Sequence, residues 1–311
     1  RAGWSLLLFL SIIAILFLSF DAFMRVIDPQ PQHTILLAPE AVALNEGIHF
    51  LFVLFAAWIM SKIEDRPARV YGLARTRLLP NFLSGLVWGV AFLSLLILCL
   101  KLSGLLVFNT RLLFGGAAFG YAFAWFLAFL LVGFFEEYLG RGYLQFTLAR
   151  GLGGLFGWLR TPHRETCGFW TSAIILSFAF GAVHVSNQGE SPIGLVAAGL
   201  IGLVFCLSLW RTGSLWWAIG FHATWDWAES YLYGVADSGA MVKGHLFAAH
   251  PYGSAVLSGG FTGPEGSILA LPIIAVAAIV IVYTLPRTGP LLQPQVHDNP
   301  PLPHPTGPVV D

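Results

Sequence analysis

The sequence predicts an all-α, polytopic integral membrane protein of about eight transmembrane helices. Three observations carry this. Of 311 residues, 57% are hydrophobic and 10% are charged, against roughly 45–50% and about 25% in soluble globular proteins. The apolar residues gather in runs of about 20, the length that crosses a bilayer as a helix. Lys and Arg are shared unevenly between the segments that join those runs. With a mean hydropathy of +0.76, the chain is no cytosolic enzyme, disordered polypeptide or nucleic-acid binder. The 16 basic and 16 acidic residues cancel, so position matters more than net charge.

The runs lie near residues 4–26, 41–61, 82–106, 117–140, 169–187, 193–210, 214–233 and 268–285. The first is too long for a signal-peptide core, and no small-residue cleavage site follows it. It reads as a true span. Stretches such as Trp4 to Leu10 lack the period-two alternation of strands, and no short amphipathic segments of a barrel occur. Segments 62–80 and 141–168, with Arg1, Arg211 and Arg287, hold twelve Lys and Arg residues on one side. The other side holds Arg25, Arg111 and Lys243, while Lys101 falls within a span. That bias asks for an even number of spans with both termini in the cytoplasm, in a plasma (inner) membrane.

The segment 286–311 contains eight prolines and is expected to be a disordered cytoplasmic tail beyond a membrane domain of residues 1–285. The Gly- and Ser-rich segment 234–267 is expected outside. Cys99, Cys167 and Cys206 have neither metal nor disulfide spacing and read as small apolar fillers.

Ionisable groups inside a membrane are costly and therefore functional candidates. The fourth run contains Glu136, Glu137 and Arg141. The fifth contains His184, four residues after Phe180. The seventh contains His222 and Asp226. At ~1.5 Å rise per residue, Glu136, His184 and Asp226 lie roughly 20 Å from the cytoplasmic ends of their helices, and His222 roughly 13 Å. Allowing for tilt, they meet at one level. His222 and Asp226 are four apart and share a helix face, as do Glu137 and Arg141 in the favourable order for an ion pair. Neighbours Glu136 and Glu137 point about 100° apart. Glu136 is therefore assigned to a pocket and Glu137 to the pair with Arg141. Each group has a plainer reading: a snorkelling cluster at a helix end, or a histidine satisfied by a neighbouring helix. Three such groups on three spans favour a shared site. Glu46 with His49, and Glu229, are expected at the membrane interface. His245 and His250 are expected in solvent.

Two carboxylates and two imidazoles around a dry cavity suit hydrolysis. A desolvated glutamate takes a proton from water, and an imidazole donates to the oxyanion that forms when water attacks a carbonyl. Alternatively the two imidazoles, His184 and His222, with one or two carboxylates of the set Glu136 and Asp226, hold Zn2+ with an open fourth position. Residue types alone leave both schemes open. The sequence has no H-E-x-x-H, no Gly-x-Ser-Gly and no pair of intramembrane aspartates, which disfavours three other kinds of intramembrane protease.

Glu136-Glu137-x-x-x-Arg141, Phe180-x-x-x-His184 and His222-x-x-x-Asp226 resemble the three signature motifs of the CPBP family. That family joins type II CAAX prenyl proteases with bacteriocin-processing and lysostaphin-resistance-like membrane proteins, formerly called abortive-infection proteins. The resemblance covers residues 130–230. It implies an intramembrane endopeptidase opening to the cytoplasm, acting on a membrane-embedded or lipid-modified protein or peptide. By the same resemblance, Glu136 activates water, Glu137 with Arg141 shapes the site, and His184 and His222 bind metal or oxyanion. Asp226 completes the set where the prenyl-protease branch often has Asn. The insertion between Glu136 and His184 is expected in 151–168, lying on the membrane surface. The alternatives of another class are a non-catalytic scaffold conferring immunity or resistance, and the ion or proton site of a transporter. No internal repeat supports transport.

Overall fold

The computed structural model describes residues 1–27, 36–187 and 189–287. Most of the expected tail lies outside them. Helices dominate: α1 (Ala2–Ile27), α2 (Pro39–Ile63), α3 (Leu78–Leu102), α4 (Gly115–Glu137), α5 (Gln145–Trp158), α6 (Arg164–Val183), α7 (Pro192–Thr212), α8 (Trp216–Asp226), the one-turn α9 (Ala255–Ser258) and α10 (Ala270–Thr284). Local signals start some of them. Pro39 and Pro192 occupy first-turn positions, and the Ser191 hydroxyl accepts from the Gly194 N–H at 3.0 Å, satisfying a donor that the helix leaves free.

Among the described residues, six helices are long and apolar enough to cross a membrane: α1, α2, α3, the continuous helix Gly115–Trp158, α6 extended to Ser186, and α7. The eight expected runs are all helical, but the last two fall short as spans. α10 has 15 residues. α8 has 11, followed by a π-helix over Trp227–Tyr233. α8 does not face lipid: Trp217, Ala218, Ile219, Phe221 and Ala223 are fully buried. It packs against α3, α4 and α7, so its apolar character serves a protein interior. Leu18, Val26, Leu44, Leu51, Val87, Phe119 and Tyr283 are exposed on the outer helices, as lipid contact requires.

α3 approaches α8 through two small residues one turn apart. A Cβ on Gly85 would lie 2.2 Å from the Trp217 carbonyl oxygen, and one on Gly89 would lie 2.2 Å from Thr224 Oγ1. Small residues four apart let two backbones touch, the usual device where lipid removes the hydrophobic drive. This contact sets the height and rotation of the helix that carries His222 and Asp226.

The all-α class holds, with two short strand pairs in the connecting segments. β1 (Leu36–Leu37) pairs in parallel with β3 (Met241–Val242), and β2 (Leu106–Arg111) pairs antiparallel with β4 (Phe247–Pro251). These short pairs tie segment 234–267 to the start of α2 and the segment after α3. The Trp125 indole donates to the Lys243 carbonyl at 2.8 Å, so the segment is a folded cap. The segment 151–168 comprises the end of α5, a turn at 159–163 and the first turn of α6, with α5 and α6 packed against each other.

Candidate active site

The helix that begins at Gly115 reaches Glu137 in α-form and then widens to a π-helix over Tyr138–Leu144 before resuming as α5. The second π-helix begins directly after Asp226. Both acidic motifs therefore sit at the last α-helical residue before a π segment, a distortion that recurs at functional sites.

Glu137 is fully buried and Arg141 nearly so. Arg141 Nη1 donates to Glu137 Oε1 at 2.9 Å. The guanidinium also lies 4.3 Å from the Phe180 ring centroid and 5.6 Å from that of Phe205. Ring faces give it a second negative partner where water is scarce. Glu137 Oε1 is 3.0 Å from His222 Nδ1. With Glu137 acting as acceptor, Nδ1 carries the hydrogen and donates it. Phe205 stacks on the imidazole at 5.6 Å. The ring is thus fixed in tautomer and plane, and Nε2 is directed at the cavity.

There Nε2 lies 3.7 Å from Glu136 Oε2 and 3.6 Å from Asp226 Oδ2. Both separations exceed a direct hydrogen bond and suit a bridging water. His184 follows the last residue of α6, and its Nδ1 lies 2.7 Å from the Phe180 carbonyl oxygen. That bond leaves Nε2 as its free nitrogen. Glu136, His184, His222 and Asp226 line one cavity of about 1040 Å³, a size that holds a substantial organic ligand. The structure brings these four to one space and puts Glu137 and Arg141 behind them.

The cavity also recruits residues expected elsewhere. Glu46 and His49, read as interfacial, line its far wall with Asn45, which donates to Glu46 Oε1 at 2.9 Å. Their i, i+3 spacing was the available signal, since it places both on one face of α2. Glu229, also read as interfacial, is fully buried because segment 234–267 folds over it. Of the two histidines expected in solvent, His250 is exposed, whereas His245 is half-buried with Nδ1 2.7 Å from the Phe247 carbonyl oxygen.

Zinc ligand atoms at about 2.0–2.2 Å from the metal sit about 3.5 Å from one another in a tetrahedron. His222 Nε2 meets that spacing to Glu136 and to Asp226. The ligand atoms of Glu136, His184, His222 and Asp226 do not all lie within 4.8 Å of one another. Among the described residues, the one group of three or more such atoms within 4.8 Å of one another is Glu229, Asp237 and Glu265.

The cavity reaches from mid-bundle to the ends of α1 and α6 and the starts of α2 and α7, beneath segment 234–267. The Arg-bearing segment between α2 and α3 and the turn between α5 and α6 lie at the other end of the bundle.

No curated protein and no solved structure matches the chain. Residues 117–228, a little over a third of it and the part that carries Glu136 through Asp226, match the family described as type II CAAX prenyl endopeptidase Rce1-like, a resemblance already visible in the three motifs.

Proposed function

We propose that the protein is an intramembrane endopeptidase in which Glu136 activates a water molecule for attack on a peptide bond. The observation that carries this reading is the position of His222. Glu137 pins one ring nitrogen at 3.0 Å, and the other stands between Glu136 and Asp226 at 3.7 and 3.6 Å. A water between Glu136 and His222 gives its proton to the Glu136 carboxylate as its oxygen adds to the carbonyl carbon. Protonated Nε2 of His222, or the free nitrogen of His184, donates to the resulting oxyanion. Glu136 then passes its proton to the leaving amine as the C–N bond breaks. Asp226 supports the charged form of His222. Glu137 with Arg141 positions that ring and does not touch the substrate.

The substrate is a membrane-embedded or lipid-modified peptide that enters sideways from the bilayer. Leu18 of α1 and Leu44 of α2 line the cavity and are also 68% and 63% exposed on the lipid side. An apolar chain reaches the site between these two helices without crossing water. Both termini lie in the cytoplasm.

The test uses purified protein in lipid vesicles with a farnesylated peptide ending in a CAAX box, and the same peptide without its lipid. Cleavage of the lipidated peptide that persists after chelation, and that added Zn2+ does not raise, is expected. Activity abolished by the chelator and restored by stoichiometric Zn2+ would sink the metal-free scheme. No cleavage of either peptide, alongside a cellular phenotype that survives loss of Glu136, His184 and His222, would favour a scaffold.

A further inference from the structure

The fully buried Glu229 takes no part in the chemistry proposed above. It sits in the second π-helix, one turn beyond Asp226. The Trp225 indole reaches toward it, but neither carboxylate oxygen holds a hydrogen bond of good geometry. Among the described residues it forms no ion pair, and neither do Asp237 and Glu265, its nearest acidic neighbours. A fully buried carboxylate with neither oxygen well bonded is too costly to persist without a compensating charge or proton. Its surroundings are more acid: one oxygen each of Glu229, Asp237 and Glu265 lie within 4.8 Å of one another.

The backbone keeps this place open. Gly263 adopts φ +109°, and a Cβ there would sit 2.0 Å from the Ala236 carbonyl oxygen and 3.4 Å from Glu229 Oε1. Hydroxyls fix the other two carboxylates from behind. Ser230 Oγ donates to Asp237 Oδ2 at 3.2 Å, and Ser238 donates to Glu265 Oε1 through its N–H at 2.9 Å and its Oγ at 3.0 Å. Each of those carboxylates retains an oxygen free of these bonds. Asp237 and Glu265 also line the active-site cavity, which gives a hydrated ion a way in.

We propose that Glu229, Asp237 and Glu265 form a divalent-cation site for Ca2+, which pins segment 234–267 to α8 beside the active site. All the donors are hard oxygens with no imidazole or thiolate, which selects Ca2+ or Mg2+ over zinc. Oxygens bound to one Ca2+ at about 2.3–2.6 Å lie no more than about 5 Å apart, a spread these three already meet, whereas Mg2+ demands tighter octahedral closure. One ligand comes from α8's continuation, one from the strand of chain just after it and one from the turn before α10. The ion would join three parts of the chain that otherwise repel. This inference stands apart from proteolysis, because it concerns binding and stability.

Metal-stripped full-length protein in detergent is titrated with Ca2+, and with Mg2+ in parallel, following bound metal per chain and the unfolding temperature. One Ca2+ per chain and a Ca2+-dependent rise in Tm that exceeds the rise with Mg2+ are expected. Glu229→Gln, and separately the milder Glu265→Gln at a half-exposed position, should weaken Ca2+ binding roughly tenfold or more, since affinity follows ligand charge. Glu136→Gln should bind Ca2+ as the parent does, which separates this site from the catalytic one. The proposal is overturned if the parent takes up no Ca2+ at millimolar concentration, or if Glu265→Gln binds it unchanged.

Discussion

Glu137 holds two partners with one oxygen: the Arg141 guanidinium at 2.9 Å and the His222 ring at 3.0 Å. Its loss is structural before it is chemical. Removing one member of a buried pair leaves the other unpaired, at about 3–5 kcal/mol. Glu137→Gln should therefore lower stability by about that amount, read by denaturation in detergent, and free the His222 ring as well. Glu136 faces the cavity with no direct hydrogen bond among the described residues, so Glu136→Gln should leave stability nearly unchanged. A Glu137→Gln protein as stable as Glu136→Gln would show that the Arg141 pair is not what organises this region. The division of labour between the two glutamates was legible in the sequence, because neighbours on a helix point in different directions and only one of them has Arg141 four residues on. The link from Glu137 to His222 was not legible, since it joins positions 85 residues apart and depends on how α4 meets α8.

At the scale of elements, the catalytic geometry depends on how closely α3 approaches α8. Gly85 leaves no room for a side chain against the Trp217 carbonyl. Gly85→Val should push the helices apart, lowering stability by about 1–3 kcal/mol as overpacking does. It should also reduce peptide cleavage, because His222 and Asp226 move with α8. The pair of measurements is decisive: lost stability with full activity would mean that α8 is positioned from elsewhere, by α4 or α7. The apolar runs revealed nearly every helix because burial in lipid asks only for length and hydropathy. Two features gave no such signal. The π segments at Tyr138–Leu144 and Trp227–Tyr233 use ordinary residues, so nothing marks the extra residue in the turn. The strands β1 and β3 are two residues each and pair across two hundred positions of chain, far outside any local pattern. Missing them made segment 234–267 look like an open loop and hid the burial of Glu229 beneath it.

For the whole molecule, the unequal ends of the bundle are its main asymmetry. The Arg-rich ends of α2, α5 and α6 lie opposite the folded cap over the cavity. By the Lys and Arg bias the cap and cavity mouth are expected outside and both termini inside. A single cysteine tests this in a background lacking Cys99, Cys167 and Cys206. Ser254→Cys, exposed on the cap, should react with an impermeant thiol reagent added to intact cells. Arg75→Cys, exposed between α2 and α3, should react only after the membrane is opened. The reverse pattern would turn the molecule over and return the cavity to the cytoplasmic side. The all-helical membrane class was legible from composition alone, whereas the end of the bundle at which the cavity lies required knowing which helix ends surround it.

The claim beneath all of this is that the Glu136 carboxylate makes a nucleophile of water. Cleavage run in water enriched in 18O, with the product peptides weighed by mass spectrometry, tests it directly. The parent protein should place one 18O in the new carboxylate of each cleaved peptide, and Glu136→Gln should cut slower by about 10²–10⁴-fold, the usual contribution of a positioned general base. Cleavage by Glu136→Gln at the parental rate, or product carboxylates without the heavy isotope, would contradict the account.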